Sequence, residues 1–318
     1  MEHRGSNKSM EIKSKRAQIF TFVAVALILV FFTLYGVYSF SPDRQAIKTR
    51  ISTMDNFLFS MEQNLEREIY IFGYRAIFLA EDYIVRTGNY IPNMQSFIDE
   101  AFFNGTVAGK STEILVGVRY TDIISSANEK ASKINVNFNI SSANISIKQV
   151  DPWNVEVIFS FRLNMSDKMN LASWNKNEII KTRISIEGFE DPLYIVNTNG
   201  KVSYKINRTI YEGIYVLDGN PANLSNHLNS RLYTENSDAP NFLKRFEGNL
   251  SADENGIESL VDLGAFFNQD LPVYQRSAVD HVYFSGNSTA NYRVRNMPYW
   301  FMLDSYHLAK YNATDLAF

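Results

Sequence analysis

The residues of this chain that could carry acid–base or metal chemistry are few. The chain has no cysteine, and three of its four histidines lie beyond residue 200: His227, His281 and His307. None of them forms an i, i+4 pair, so a zinc site would need carboxylates from distant parts of the chain to converge. We therefore find no local metal-binding signature in the sequence.

The pair Asp280-His281 is the strongest catalytic candidate, because it could form half of a triad. However, the sequence has no Gly-x-Ser-x-Gly nucleophile elbow for it to serve. Adjacent residues of a strand also point to opposite faces, which weakens the pairing. We predict a protein that is not an enzyme, with no catalytic residue, no cofactor and no metal site.

An unbroken apolar run from Gln18 to Tyr38 is the most informative feature of the chain. Of its twenty-one residues only Gln18, Thr21, Thr33 and Gly36 are not clearly hydrophobic, and none is charged. At about 1.5 Å per residue the run spans roughly 30 Å, the thickness of the hydrocarbon core of a bilayer. The sequence predicts a transmembrane helix over residues 18–40, with the lipid bilayer as a partner.

The charge around this run predicts its orientation. Residues 1–17 carry five basic and two acidic residues, a net charge of +3, which leaves −6 for the rest because the whole chain carries −3. Basic flanks stay in the cytoplasm, so we expect a cytoplasmic leader at 1–17 and an extracellular remainder at the cell surface. A mildly acidic remainder also argues against nucleic acid as a partner.

Nine Asn-x-Ser/Thr sequons follow the apolar run, about twice the number that chance pairing would give. They predict an extracellular glycoprotein, although Asn-rich surface loops also produce sequons without any modification. The sequon residues are Asn104, Asn139, Asn144, Asn164, Asn207, Asn223, Asn249, Asn287 and Asn312.

The end of the apolar run argues against an ordinary cleaved signal peptide. Between Leu34 and Phe40, bulky residues stand at the positions where such a peptide needs the small residues of a small-x-small cleavage site. Two alternatives remain open. The run is either an unprocessed signal anchor or an anchor that is processed on the cytoplasmic side.

The second alternative depends on the sequence Lys15-Arg16-Ala17-Gln18. It resembles the class III signal of archaeal type IV pilin-like proteins. The resemblance covers only the N-terminal region and implies that a prepilin-type peptidase cuts between Ala17 and Gln18, leaving an apolar helix that can associate with other copies. The chain departs from the family at Phe22, where many members carry a Glu that aligns subunits.

A second helix is predicted over residues 41–88. Ser41-Pro42 is typical of a helix start, although the same proline could kink one continuous helix. Gly88 is a natural stop. The apolar face of this helix could pack on the chain's own sheet, which we favour, or pair with another copy. Such an amphipathic stalk helix would match the layout of a pilin. The apolar face is a stripe of residues spaced three or four apart, which comprises Ile47, Ile51, Met54, Leu58, Met61, Leu65, Ile69, Phe72, Ala76, Leu79 and Tyr83.

Residues 89–210 are predicted to form an α+β head with an antiparallel sheet, because the short connections leave no room for crossover helices. Asn199-Gly200 predicts a hairpin between two of the strands. Helices are expected at Met94–Phe103 and Tyr120–Lys133. Strands are expected at Ile134–Ile140, Ile145–Lys148, Val155–Leu163, Glu178–Glu187, Tyr194–Val196 and Val202–Tyr204.

The pattern weakens in residues 211–318, which we predict to be an irregular, sequon-rich part of the head. Helical patches are expected at Asn241–Phe246 and Gly256–Phe267. We expect the aromatic residues near the C-terminus, Tyr299, Trp300, Phe301, Tyr306 and Tyr311, to be buried.

These features together predict a single-pass membrane protein with a cytoplasmic N-terminus and an extracellular head. The first hypothesis is a structural, pilin-like subunit or pilin-like membrane component. The alternative is a membrane-anchored adhesion or receptor module that binds a partner through its head.

Overall fold

The computed structural model describes residues 6–169, 171–286 and 290–318, which form a mixture of helices and antiparallel strands. This confirms the α+β class. The elements, in chain order, are α1 (Ser6–Thr87), α2 (Met94–Asp99), a π-helical turn (Glu100–Asn104), β1 (Thr106–Val107), β2 (Lys110–Ser111), α3 (Tyr120–Lys133), β3 (Val136–Asp151), β4 (Asn154–Asp167), β5 (Ser173–Ser185), α4 (Pro192–Asn197), α5 (Ala222–Asn229), β6 (Tyr233–Glu235), α6 (Phe242–Phe246), β7 (Ile257–Ser259), α7 (Leu263–Asn268), α8 (Asp280–Ser285), β8 (Asn291–Arg293), β9 (Met302–Asp304), α9 (Ser305–Lys310) and a 3-10 turn (Thr314–Leu316).

Helix α1 is continuous through Pro42, so a single helix forms where the sequence left open either two helices or one. It ends at Thr87, and Gly88 follows with a φ of 66°, a left-handed conformation that glycine adopts without strain. The Gly88 amide donates to the carbonyl of Ile84, which satisfies one of the last free acceptors of the helix.

Strands β3, β4 and β5 form an antiparallel sheet with β4 in the centre. Alternate residues of β4 from Val155 to Met165 are buried and form its inward face. The second half of α1 covers this face, and its predicted stripe is buried from Met54 to Leu79. The preference for packing on the chain's own sheet is therefore confirmed.

Strand β3 replaces the two separate strands that we predicted at Ile134–Ile140 and Ile145–Lys148. A bulge between Ser141 and Asn144 keeps the two runs in one strand, with Ser142 at a φ of 52°. The bulge also changes which residues face inward, from Ile140 before it to Ile145 after it. The prediction of two strands was wrong because the shift in the alternation of buried and exposed residues at the bulge looks, in the sequence, like the end of a strand.

The predicted hairpin around Asn199-Gly200 is also wrong. Residues Pro192–Asn197 form α4, whose Leu193 amide donates to the carboxylate of the N-cap residue Asp191, with Pro192 at the first helical position. Asn199 and Gly200 do adopt positive φ, but they do so in the chain that leaves this helix. The same dihedral preference serves a helix exit and a hairpin turn.

Residues 211–318 contain five short helices and four short strands within the described part of the chain, together with a second hydrophobic core. The predicted helix at Asn241–Phe246 is confirmed, with Asn241 as its cap, whereas Gly256–Phe267 divides into β7 and α7. Of the aromatic residues near the C-terminus, Phe301 and Tyr311 are fully buried, but Tyr299 is 81% exposed.

Candidate functional site

The first candidate site is the apolar part of α1. Residues Gln18–Gly36 are long and apolar enough to cross a membrane, and none of this segment is buried against the rest of the protein. Phe20 and Phe22 are 81% and 77% exposed. Such a surface in an N-terminal helix suggests a membrane anchor or a signal sequence, because exposing a continuous apolar surface to water is unfavourable.

The predicted processing residues, Ala17 and Gln18, both lie within α1 at the start of this apolar segment. The first five residues of the predicted leader, 1–5, lie outside the described residues.

The sequons occupy unequal surroundings. Asn139 and Asn164 are directly opposite each other on β3 and β4, and Asn144 shares their outward sheet face. Asn223 is half-buried, and its side-chain amide donates to the carbonyl of Ile214 at 2.8 Å. Asn287 lies outside the described residues. The exposed sequon residues are Asn104, Asn139, Asn144, Asn207, Asn249 and Asn312.

The second candidate site is a buried ionic network centred on Arg245 of α6. Its guanidinium contacts Asp191 at 2.6 Å and Asp280 at 2.9 Å, and all three side chains are fully buried. The hydroxyl of Tyr233 donates to Asp191, and that of Ser259 donates to Asp280. Burial raises the pKa of Asp191 above its ordinary value, against the lowering effect of Arg245.

This network changes the interpretation of Asp280-His281. The two residues begin helix α8 and do not lie in a strand. Asp280 uses its carboxylate on Arg245 and Ser259, while the ring of His281 points to Glu258 instead. The sequence pair therefore contributes to two different sites, and the two side chains do not form the hydrogen bond of a triad.

The third candidate site is a cluster of Glu258, His281 and His307, all of them buried. The Nε2 atoms of His307 and His281 lie 3.1 Å and 3.4 Å from Oε2 of Glu258. On the far side of the His307 ring, Nδ1 lies 2.7 Å from Oδ2 of Asp304. Distant segments thus converge in the way that the sequence analysis required of a metal site.

The electrostatics of this cluster follow from its two carboxylates. Burial opposes the ionisation of Glu258, but hydrogen bonds from His281 and His307 outweigh it and hold the pKa of Glu258 well below its usual range. Burial likewise opposes a charge on His307, but Asp304 and Glu258 raise its pKa to about 9. Without a cation, His307 therefore carries a proton at neutral pH.

Sequence analysis did not identify Glu258, although one local signal exists. Glu258 and Ser259 interrupt the apolar run that extends from Ile257 to Val261, and a carboxylate in such a run is costly to bury unless it is paired. His227, by contrast, stays apart from the cluster. Its Nδ1 lies 2.9 Å from the hydroxyl of Thr209, and burial lowers its pKa to about 4.

Comparison with protein-family models, curated proteins and solved structures finds no match to this chain.

Proposed function

We propose that the protein is a single-pass membrane-anchored surface protein, with a cytoplasmic N-terminus and an extracellular α+β head, that acts as a pilin-like structural component. The observation that supports this proposal best is the division of α1. Its Gln18–Gly36 segment is apolar and exposed, while the stripe from Met54 to Leu79 is buried against the sheet. In this proposal, helix α1 serves both as the anchor and as part of the head.

The basic leader supports the orientation, because a short flank with a net charge of +3 resists translocation. The exposed sequons support an external head, since nine of the ten sequons of the chain lie beyond the proposed anchor and one, Asn7, lies before it. Ala17-Gln18 at the start of the apolar segment is where a prepilin-type peptidase would act.

Phe22 favours a membrane component over a filament subunit. It stands five residues into the processed chain and is 77% exposed, and no acidic side chain is present in the Gln18–Gly36 segment. A charge-free segment is stable in lipid, whereas it lacks the acidic group that aligns subunits in a filament core. Self-association through the apolar helix remains part of the proposal only within the bilayer.

The test is mass spectrometry of the mature N-terminus of membrane-bound protein. We expect a chain that begins at Gln18, and the Ala17→Leu variant should accumulate with its leader intact while remaining in the membrane fraction. Conservative replacement elsewhere in the leader, Ser9→Ala, is the matched control and should be processed normally. An intact residue 1 in the wild-type protein would refute pilin-like processing, and recovery of the full chain in the soluble fraction would refute the anchor as well.

A further inference from the structure

We propose that Glu258, His281 and His307 bind one divalent transition-metal ion, with zinc as the expected species. The three residues come from β7, α8 and α9, and one ligand atom of each lies within 4.8 Å of the other two. A tetrahedral zinc site with bonds of about 2.0–2.1 Å has ligand–ligand distances of roughly 3.3 Å. The distances from Glu258 Oε2 to the two imidazoles, 3.1 and 3.4 Å, match that edge.

The count of hydrogen-bond donors around Glu258 favours an ion over protons. Oε2 faces Nε2 of His281, Nε2 of His307 and the side-chain amide of Asn236. A carboxylate oxygen offers two lone pairs, so three N–H donors exceed its capacity. An ion between the two imidazoles and Oε2 uses one lone pair and leaves the other to Asn236. The second oxygen, Oε1, accepts from the hydroxyl of Tyr311 at 2.9 Å.

The surroundings of His307 resemble the outer shell of a metal ligand. Its Nδ1 donates to Oδ2 of Asp304 at 2.7 Å, and the hydroxyl of Ser277 donates to the same oxygen at 2.8 Å. A carboxylate on Nδ1 fixes the tautomer in which Nε2 presents its lone pair to the ion. Asp304 also caps α9 through the His307 amide, so the helix orients the ring.

The charge and the donor types select the kind of ion. Glu258 and Asp304 are two buried carboxylates, and the ammonium of Lys310 lies 3.6 Å from Oε1 of Glu258. A divalent ion between Glu258 and the two imidazoles would neutralise the remaining negative charge. Two imidazoles and one carboxylate suit zinc, whereas calcium and magnesium prefer oxygen ligands.

The site has an entrance and a structural consequence. The side chain of His281 is 10% exposed, so the cluster reaches the surface on that side. Three protein ligands would leave the fourth position of a tetrahedral ion to water. Binding would join three segments of the C-terminal part in a chain that contains no cysteine and therefore no disulfide. The ion would act as the cross-link that holds α8 and α9 against β7. This inference does not depend on the membrane anchor.

The experiment uses the full-length chain, purified in detergent and stripped with a chelator, and titrates it with Co²⁺ as a spectroscopic probe and with Zn²⁺. We expect one equivalent of either ion, with the intense visible bands of tetrahedral Co²⁺, and a rise in the unfolding temperature on addition of Zn²⁺. His281→Gln should abolish both effects. Asp304→Asn, which keeps the helix cap, should weaken binding about 10- to 100-fold.

The matched control is His227→Gln, which removes another buried histidine of the same C-terminal part and should retain one equivalent. X-ray absorption of the Zn²⁺-loaded wild-type protein, showing two imidazoles in a nitrogen–oxygen shell, tests the ligands without any variant. Wild-type protein that takes up no Co²⁺ or Zn²⁺ would overturn the proposal. So would a folded His281→Gln variant, checked by circular dichroism, that binds as the wild type does, or an absorption spectrum without imidazole ligands.

Discussion

Gly73 is the position at which a one-carbon change tests the contact between α1 and the sheet. It lies in the middle of a long helix, where a glycine costs about 1 kcal/mol relative to alanine. A β-carbon at this position would lie 2.5 Å from Cδ1 of Ile184 and 2.7 Å from Cγ2 of Val157. Both side chains are buried, so neither can move into solvent.

The expected effect of Gly73→Ala is the difference between two opposing terms. Helix propensity alone would stabilise the variant by about 1 kcal/mol. Insertion of a methyl group into a packed core costs about 1–3 kcal/mol, and a clash more than 1 Å inside normal contact distance belongs at the upper end. We therefore expect net destabilisation of about 1–2 kcal/mol, or a fall of a few degrees in the unfolding temperature.

The assay is thermal and urea unfolding of the full-length chain in detergent, followed by circular dichroism. Ile184→Val shortens the side chain that the new methyl group meets, so the double variant should recover part of the loss. Gly36→Ala is the matched control, because a β-carbon at Gly36 contacts nothing within 4 Å. If Gly73→Ala stabilises the protein, as propensity alone requires, the close approach of α1 to the sheet is wrong.

Further predictions concern the buried ionic groups and the anchor. Burial lowers the pKa of His227 to about 4, so below pH 6.5 the unfolded chain binds a proton that the folded chain excludes. Between pH 7 and pH 5 the free energy of unfolding of the wild type, measured in urea, should therefore fall by about 2 kcal/mol more than that of His227→Gln. Equal losses would contradict this. Arg245→Met leaves Asp191 and Asp280 buried without their cation and should cost about 3–5 kcal/mol at pH 7, whereas a cost below 1 kcal/mol would show that the network is dispensable. Leu29→Arg places a charge near the middle of the apolar segment, which opposes insertion by about 3 kcal/mol, so the membrane-bound fraction should fall; an unchanged fraction would argue against a spanning helix.

Local sequence patterns correctly predicted the elements whose conformation is determined mainly by their own residues. Helix α3 occupies the predicted range, Tyr120–Lys133. The alternation of apolar and polar residues in β4 identifies its buried face, because one face of that strand packs against the core and the other does not. The hairpin at Asn199-Gly200 was wrong because its positive φ angles are needed at a helix exit as well. Here the cap, Asp191 with Pro192, was the more informative signal.

The candidate metal site could not be predicted because its members are separated along the chain. Glu258, His281 and His307 meet only when β7, α8 and α9 pack together. The proposed anchor, in contrast, depends on consecutive residues, and its apolar run was visible at once in the sequence. A site assembled by tertiary packing leaves one weak local trace, a carboxylate in an apolar run, and this trace does not identify its partners.

Thiol labelling of a single introduced cysteine tests the proposed topology most directly, because the natural chain contains no cysteine. Ser230 is an exposed residue of the head, outside any sequon, and is suitable for Ser230→Cys. We predict that a membrane-impermeant maleimide labels this variant on intact cells to the same extent as after lysis, while a cytoplasmic marker protein is labelled only after lysis. Labelling of Ser230→Cys that requires lysis would contradict the assignment of the head to the outer surface.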